Sequence, residues 1–199
     1  MRTIAALFMA LLFAPAAMAQ TLAERGTLLD HLAGRWVMTG TIAGEEITHD
    51  LTAAWVLGGH YLYFHEIARE RNENGDPAYE SMVYFGWDEA GERLVCMWLD
   101  VTGGGGLVPD GFGYGKPEAD RIAFVWGERA DSQIHNTFTY QREQDQWAWQ
   151  IDNVRQGQPS NFARVVLSRA VPGASLDGPQ SMQQQADLNA ISQLPGLAN

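Results

Sequence analysis

The chain has 199 residues and a formal net charge of −11, with 24 acidic side chains against 13 lysines and arginines. An acidic surface repels phosphate groups and anionic lipid headgroups, and the basic residues are scattered singly, so nucleic acid is not expected as a partner. The single cysteine, Cys96, allows no intramolecular disulfide, so the fold has to be stabilised by its core.

Residues 1–19 have the order of features of a secretory signal peptide. Arg2 supplies the basic start, an apolar run follows from Ile4 to Phe13, and Ala17-Met18-Ala19 has the small-residue spacing of a cleavage site. The apolar run is shorter than the roughly 20 residues that a membrane-spanning helix needs. The sequence therefore predicts cleavage near Ala19-Gln20, no membrane span, and a soluble mature protein that is periplasmic or secreted.

The segment after the cleavage site predicts a short N-terminal helix. Thr21-Leu22-Ala23-Glu24 fits a capping box, and Gly34 is placed to end the helix. Leu28, Leu29 and Leu32 supply an apolar stripe between these two signals. We expect this helix to cover one end of the folded domain.

The chain from Gly34 to Ser168 consists of short alternating or aromatic-rich segments separated by turn residues, a pattern typical of all-β proteins. Short consecutive strands predict one antiparallel up-and-down β-barrel of about ten strands, because closure leaves no exposed sheet edge. The barrel domain is predicted over 20–169, and the Pro-, Gly- and Gln-rich segment 170–199 predicts a flexible or weakly helical tail. The predicted strands are 34–43, 47–57, 60–71, 78–88, 93–100, 111–116, 121–126, 132–142, 146–153 and 161–168.

Alternation along the predicted strands assigns side chains to the barrel interior. Where one set of alternate positions is apolar and the other polar, the apolar set is predicted to face inward. His49 is then a polar residue on an otherwise apolar face. The predicted interior positions include Trp36, Met38, His49, Leu51, Trp55, Cys96, Trp98, Phe124, Trp126, Trp147 and Trp149.

The stretch WVLGGHYLYFHEIARE, from Trp55 to Glu70, contains two histidines among aromatic residues. His60 and His65 fall on opposite faces of a regular strand, and neither a His-x-His pair nor a His-Glu-x-x-His motif is present. The sequence therefore predicts no metal site here. Glu66 shares the face of His60 and points away from His65, while Gly58-Gly59 predicts a sharp corner between two strands.

Four short motifs give the chain a resemblance to a known family. Leu32-Ala33-Gly34-Arg35-Trp36 matches the Gly-x-Trp motif on the first strand of lipocalin-like (calycin) barrels. Trp55-Val56-Leu57-Gly58-Gly59, Tyr84-Phe85-Gly86-Trp87-Asp88 and Met97-Trp98-Leu99-Asp100 resemble the bacterial DUF1579 family of that superfamily. An arginine commonly follows the paired glycines in that family, where this chain has His60. The resemblance implies a barrel of the fatty-acid-binding or nitrobindin type and no established activity.

The resemblance also implies two statements about particular residues. In lipocalin-like barrels the tryptophan of the Gly-x-Trp motif packs at the closed end, often under an arginine of the last strand, and here Arg164 or Arg169 is in a position to take that part. Nitrobindin-like barrels carry haem on a histidine near the end of the barrel, whereas no histidine follows His135 in this chain. We therefore expect no haem and no other cofactor.

Seven tryptophans in one small barrel either fill its core or line a cavity, and three hypotheses follow. The first is an exported protein that binds a small, largely apolar molecule in the barrel interior. The predicted ligand-binding residues are His49, Trp55, Tyr63, His65, Trp98, Trp126 and Trp149.

The second hypothesis is an enzyme that uses His49 or His65 as acid and base with a carboxylate such as Glu66 or Asp100. No nucleophile motif is present, so no catalytic residue is predicted. The third is a packed envelope scaffold that binds other proteins.

Overall fold

The computed structural model describes residues 21–171, apart from residues 24, 26, 104–106, 108–110 and 128–131. The predicted signal peptide and the tail beyond residue 171 lie outside the described residues, as does Glu24 of the predicted capping box. These predictions, and that of the N-terminal helix as a whole, remain predictions. The described chain contains ten β-strands and two short 3-10 turns, Leu28–His31 and Leu57–Gly59.

Ten antiparallel strands form one closed barrel, as predicted. The strands are β1 (Gly34–Ile42), β2 (Glu45–Val56), β3 (Tyr61–Ala68), β4 (Glu80–Asp88), β5 (Arg93–Asp100), β6 (Phe112–Glu118), β7 (Arg121–Trp126), β8 (Ser132–Gln141), β9 (Gln146–Arg155) and β10 (Gln158–Arg169). Each strand pairs with the next along the chain, and β10 returns to pair with β1, where Trp36 lies opposite Arg169. Within the described part of the chain, this closure leaves no free sheet edge.

The start of β10 differs from the prediction because the preceding turn is shorter than its residues suggest. The last strand is predicted from residue 161, but it begins at Gln158 and includes Pro159. The turn itself consists of Gln156 and Gly157, with φ of 51° and 74°. Positive φ at both positions is the geometry of the tightest hairpins. Proline is tolerated at the first residues of the strand, near the barrel rim.

The corner between β2 and β3 is formed by three consecutive residues with positive φ. The angle is 50° at Leu57, 66° at Gly58 and 85° at Gly59. Left-handed backbone of this kind favours glycine, so the predicted corner at Gly58-Gly59 is confirmed. The corner also fixes the pairing of the two strands, in which Leu51 lies opposite Glu66.

The chain segment before β1 covers one end of the barrel, which we call the closed end. The buried residues of this segment are Leu22, Leu28, Leu29 and Leu32. The Trp36 indole donates a hydrogen bond to the Leu32 carbonyl at 2.7 Å, and the Arg169 guanidinium lies 3.8 Å from the centre of the Trp36 ring. Arg169 also donates to the Ala33 carbonyl at 2.7 Å. The expected arginine over Trp36 is therefore confirmed, and it is Arg169 rather than Arg164.

Aromatic side chains fill the middle of the barrel. The ring centres of Phe64 on β3 and Trp149 on β9 are 6.0 Å apart, as are those of Phe85 on β4 and Phe138 on β8. These strands are not neighbours in the sheet, so the rings meet across the interior. Phe138 also stacks on Trp149 at 5.0 Å. The middle layer is therefore a packed core.

The predicted alternation of interior and exterior residues is confirmed at most positions. Trp36, Met38, Leu51, Cys96, Phe124 and Trp147 are all buried. Complete burial raises the pKa of the Cys96 thiol well above its ordinary value, as expected for a core residue rather than a reactive thiol. Interior side chains such as Trp98 and Trp126 are partly exposed toward the end opposite the closed end, which we call the open end.

Candidate functional site

Six side chains with polar tips converge inside the open end of the barrel, and we call them the mouth cluster. They are His49, Glu66, Tyr79, Ser81, Trp98 and Asp100. They come from β2, β3, β4 and β5 and from the residue just before β4, at alternate positions that point inward. His49, Glu66 and Ser81 are almost completely buried, with 4%, 1% and 1% of their surface exposed.

The His49–Glu66 pair is the centre of the mouth cluster. Nδ1 of His49 lies 2.6 Å from Oε1 of Glu66, and the Ser81 hydroxyl donates to Oε2 of Glu66 at 3.2 Å. In a contact of this kind an ionised carboxylate only accepts, and the ring nitrogen that faces it is then the donor. Nε2 is then the nitrogen left for other groups, and the described residues offer it no hydrogen-bond partner.

Tyr79 connects this pair to the next part of the cluster. Its ring stacks on the His49 imidazole with centroids 5.8 Å apart. Its hydroxyl accepts a hydrogen bond from Nε1 of Trp98 at 3.2 Å and donates to Oδ2 of Asp100 at 3.4 Å. Burial, followed by the nearby Glu66 carboxylate, raises the pKa of Tyr79 well above its ordinary value. The phenol therefore remains a donor at neutral pH.

Indole rings form an apolar wall beside the mouth cluster. The rings of Trp98 and Trp149 lie 5.5 Å apart, and the Trp149 indole donates to the side-chain oxygen of Asn136. Trp126 lies against Gly113, where an added Cβ would approach the indole to 2.5 Å. Trp98 and Trp126 are partly exposed, whereas Trp149 belongs to the packed middle layer. The wall thus has a buried floor and an accessible rim.

Four of the predicted ligand-binding residues lie together in the open half of the barrel: His49, Trp98, Trp126 and Trp149. Trp55 packs against the core near the closed end, close to the carboxyl group of Asp30. Along β2, Trp55 is roughly 20 Å from His49 at the usual rise of an extended strand. A small ligand bound at His49 therefore does not reach Trp55.

Tyr63 and His65 lie on the outer face of β3, opposite to the face of Glu66. Tyr63 packs on Tyr84 with ring centres 5.2 Å apart, and Nε2 of His65 is 2.7 Å from a carboxylate oxygen of Glu80. Burial, followed by the neighbouring Tyr84, raises the pKa of Tyr63 to about 12. These two side chains do not line the space that the mouth cluster lines, and their contact with a ligand remains a prediction.

The prediction of Tyr63 and His65 as interior residues puts Glu66 on the outer face of β3, whereas the structure turns Glu66 inward, where it contacts His49. A signal for this contact exists in the Gly58-Gly59 corner, because a tight turn pairs residues at equal distances on its two sides. That rule puts Leu51 opposite Glu66, with His49 on the diagonal, as observed. Tyr79 and Ser81 are not found in this way, because the longer link between β3 and β4 does not fix a register.

Two grooves on the outside of the barrel are weaker candidates for a site. One, of about 480 Å³, lies on the outer face of β3 to β6 and is lined by apolar side chains that include Tyr61, Tyr84 and Met97. The other, of about 440 Å³, lies at the closed end beside Arg25 and Trp87. The Arg25 guanidinium is already bonded to Glu89 at 2.6 Å. Neither groove has the converging buried polar groups of the mouth cluster.

The described residues contain no group of three or more His, Cys, Asp or Glu side chains that could hold a metal ion. In the same part of the chain, no helix has the length and apolar character needed to cross a membrane. Neither a scan against protein-family models nor a search of curated proteins finds a match for this chain. The site is therefore interpreted from its own geometry.

Proposed function

We propose that this protein is an exported, soluble β-barrel that binds a small, largely apolar molecule inside the open end of the barrel. The observation that carries the proposal is the buried mouth cluster, set against partly exposed indole rings. Buried charged groups contribute little to folding, because their removal from water costs about as much as their contacts return. A few converging polar groups on an apolar wall are typical of ligand sites.

Export and family membership belong to the same proposal. The signal-peptide features of residues 1–19 support delivery to the periplasm or the medium. The closed ten-strand barrel and the stacking of Arg169 on Trp36 are features that the calycin resemblance implies, and they support a DUF1579-like assignment. The ligand hypothesis rests on the mouth cluster, since the resemblance implies no activity.

Apolar contact alone supplies only a weak affinity for such a ligand. Burying ~300 Å² of apolar ligand surface contributes roughly 7 kcal/mol before any cost of association. Lost translational and rotational freedom costs at least about 4 kcal/mol. The remaining ~3 kcal/mol corresponds to a Kd above 1 mM. Tighter binding therefore depends on hydrogen bonds to the mouth cluster.

The substitution Trp126→Ala tests the proposal because it separates affinity from stability. Trp126 is partly exposed at the open end, so its removal takes away ligand contact without opening a closed cavity. We expect the affinity for an apolar naphthalene dye to weaken by about 1 to 3 kcal/mol. The free energy of unfolding should fall by less than about 2 kcal/mol. Dye titration and urea unfolding of the same variant measure both quantities.

The matched control is Trp87→Ala, which removes an indole beside the closed-end groove and should leave dye affinity unchanged. The packed-scaffold hypothesis predicts a different result for Trp126→Ala: no saturable dye binding and a loss of about 3 to 5 kcal/mol in stability. That outcome would reject ligand binding and favour a scaffold with protein partners.

A second candidate function is acid–base catalysis by His49, which the Glu66 contact favours. A carboxylate that accepts the Nδ1 proton orients the imidazole and leaves Nε2 available as a base. Ser81 contacts Glu66 rather than His49, so the cluster contains no histidine-activated hydroxyl nucleophile. Proton abstraction from 5-nitrobenzisoxazole tests this candidate. A saturable rate that disappears in His49→Ala supports it, and a rate equal to that of buffer rejects it.

A further inference from the structure

We propose that the outer face of β3 to β6 is the contact surface of a homodimer, in which each copy inserts Leu57 into an apolar groove of its partner. This surface lies on the outside of the barrel and is separate from the ligand site inside it. The dimer therefore goes beyond the proposed function and does not depend on it.

The outer face of β3 to β6, which we call the apolar face, carries aromatic and aliphatic side chains in adjoining rows. Residues opposite one another on the four strands form one row of Tyr63, Tyr84, Met97 and Phe112. The next row consists of Gly86, Val95 and Tyr114. Neither row contains a charged side chain. Aromatic residues and methionine without charges are the composition of the buried centre of protein–protein interfaces.

The opposite wall of the barrel has a polar outer surface. A row across β8, β9, β10 and β1 there consists of Thr137, Gln150, Arg164 and Thr41. Single apolar residues scattered over a surface need no explanation, whereas a continuous apolar patch on one side marks a site of interaction. The apolar face is such a patch.

The apolar face contains both a groove and a side chain that can fill one. The groove, of about 480 Å³, is lined by Gly86 and by Tyr61, whose ring an added Cβ at Gly86 would approach to 3.0 Å. Leu57 also lines this groove, from the corner between β2 and β3, and 72% of its surface is exposed. A two-fold symmetric interface uses the same patch of both copies, so one face has to supply both protrusion and recess. When Leu57 of one copy enters the partner's groove, the reverse contact forms as well.

The backbone of Leu57 indicates a role for this side chain outside the isolated barrel. Its φ is 50°, and glycines occupy the next two positions, which also have positive φ. Leucine in left-handed backbone costs free energy that glycine avoids, and an exposed leucine gains little from burial within its own chain. Residues held in unfavourable conformations cluster at functional sites. Burial in the groove of a second copy would compensate for this cost.

A second copy fits the apolar face better than either the tail of the same chain or a membrane surface. The chain beyond Val171 continues from β10, which is five strands from β5 in both directions around the barrel. Residues 172–199 therefore start at the opposite wall. Anionic lipid headgroups repel a chain with a net charge of −11. A second copy presents the same uncharged rows.

The apolar face is large enough for a weak dimer. Four strands at a spacing of ~4.8 Å, with about five residues each at a rise of ~3.3 Å, cover roughly 19 Å by 17 Å. Side-chain relief and a polar rim bring the accessible area to about 500 Å², roughly the least that a specific protein contact buries per partner. In the rim, Arg93 donates to Asp88 at 2.9 Å and stacks on the Tyr114 ring, so its charge is already paired. We therefore expect a dissociation constant on the order of 10 μM.

Sedimentation equilibrium of the mature protein, from concentrations well below this constant to well above it, measures the association. We expect the mass to rise from one chain to two. Leu57→Gly should raise the dissociation constant at least about tenfold, because it removes the inserted side chain from both copies. The urea midpoint of the monomer should not fall, because glycine relieves the left-handed backbone. A role of Leu57 within its own barrel predicts a lower midpoint instead.

Met97→Glu is a second variant, in the central row of the apolar face. It places like charges close together across the contact and should keep the protein monomeric over the same concentrations. The matched control is Val166→Glu, which introduces the same charge at a partly exposed apolar residue on the outer face of β10. The control should leave the dissociation constant unchanged.

A dimer that is lost in Leu57→Gly and Met97→Glu but kept in Val166→Glu supports the inference. A mass of one chain at every concentration overturns it, whether residues 172–199 or lipid vesicles then prove to cover the apolar face. A dimer that persists in either folded variant also overturns it, because another surface then forms the contact. Loss of the dimer in the control has the same meaning.

Discussion

His49 and His65 each contact a glutamate, yet only one of these pairs lies inside the barrel. The distances to Glu66 and Glu80 are 2.6 Å and 2.7 Å, so hydrogen-bond geometry does not distinguish them. The difference comes from the alternation of side chains along β2 and β3, which turns His49 inward and His65 outward. Alternation is visible in the sequence and separates His65 from Glu66, but the sequence-based prediction put His65 in the interior, whereas the structure turns Glu66 inward. The partner glutamates were not predictable, because they depend on register and rotamer.

Gly113 on β6 leaves room for the Trp126 indole, because glycine has no Cβ. A Cβ at this position would approach the Trp126 indole to 2.5 Å, and that indole can shift. We expect Gly113→Ala to cost about 1 kcal/mol of stability, at the low end for overpacking, and to weaken binding of the naphthalene dye severalfold. The control is Gly115→Ala, whose Cβ would meet the Ala123 carbonyl at 2.3 Å. Because backbone is displaced there, stability should fall by about 3 kcal/mol. Unfolding and dye titration of both variants test this, and an unchanged dye affinity in Gly113→Ala would contradict it.

At the scale of elements, the strands were largely predictable because each hairpin has its own turn residues. The predicted bounds 93–100 and 121–126 coincide with β5 and β7. Errors arose where a turn residue continues a strand, as Pro159 does in β10. Local sequence indicates that the chain turns, but the exact turn depends on which φ values the neighbouring strands require. The mouth cluster was only partly predictable for a related reason, since it joins β2 to β5 through three strand registers.

The link between the β8–β9 turn and the end of β10 makes the closed end sensitive to acid. The Arg169 guanidinium, which donates to Asp145 at 2.9 Å, holds the pKa of that carboxyl below its usual range. A depressed pKa in the folded state stabilises the protein above the ordinary Asp pKa of about 4, and this contribution is lost as pH falls through the lowered value. Asp145→Asn should therefore lower stability at pH 7 by about 1 kcal/mol or less, since both partners are more than a third exposed.

As pH falls from the ordinary Asp pKa of about 4 through the lowered pKa of Asp145, the difference in stability between Asp145→Asn and the unmodified protein should become smaller, because the unmodified carboxyl takes up its proton over that range. Urea unfolding midpoints at pH 7 and pH 3 measure this convergence. The control Glu118→Gln removes the partner of Arg121 in a more exposed pair, and its effect at pH 7 should be close to zero. A gap for Asp145→Asn that stays constant between the two pH values would contradict the assignment.

At the scale of the whole molecule, closure into a barrel was predictable and the filling of its interior was not. An open sheet of ten strands would leave its first and last strands unpaired on one side, and closure into a barrel pairs them with each other. Whether rings from opposite walls meet depends on the barrel diameter and the tilt of the strands. Knowing which residues face inward determines neither quantity. Phe64 and Trp149 do meet, so the barrel combines a solid middle with an accessible end. The number of tryptophans in the sequence does not show which of them fill the core and which line an accessible end.

The pairing of β1 with β10 has a consequence for the order in which the protein acquires its shape. Because the first and last strands are partners, the ring of hydrogen bonds cannot close until the ribosome has added β10. Until then a nascent chain exposes the unpaired backbone of β1 and β9, and Trp36 lacks the arginine that stacks on it. A chain shortened before residue 158 keeps both edges permanently, and edges of this kind recruit other chains. The barrel can therefore close only after β10 has been synthesised, and β1 has no partner on its second edge until then.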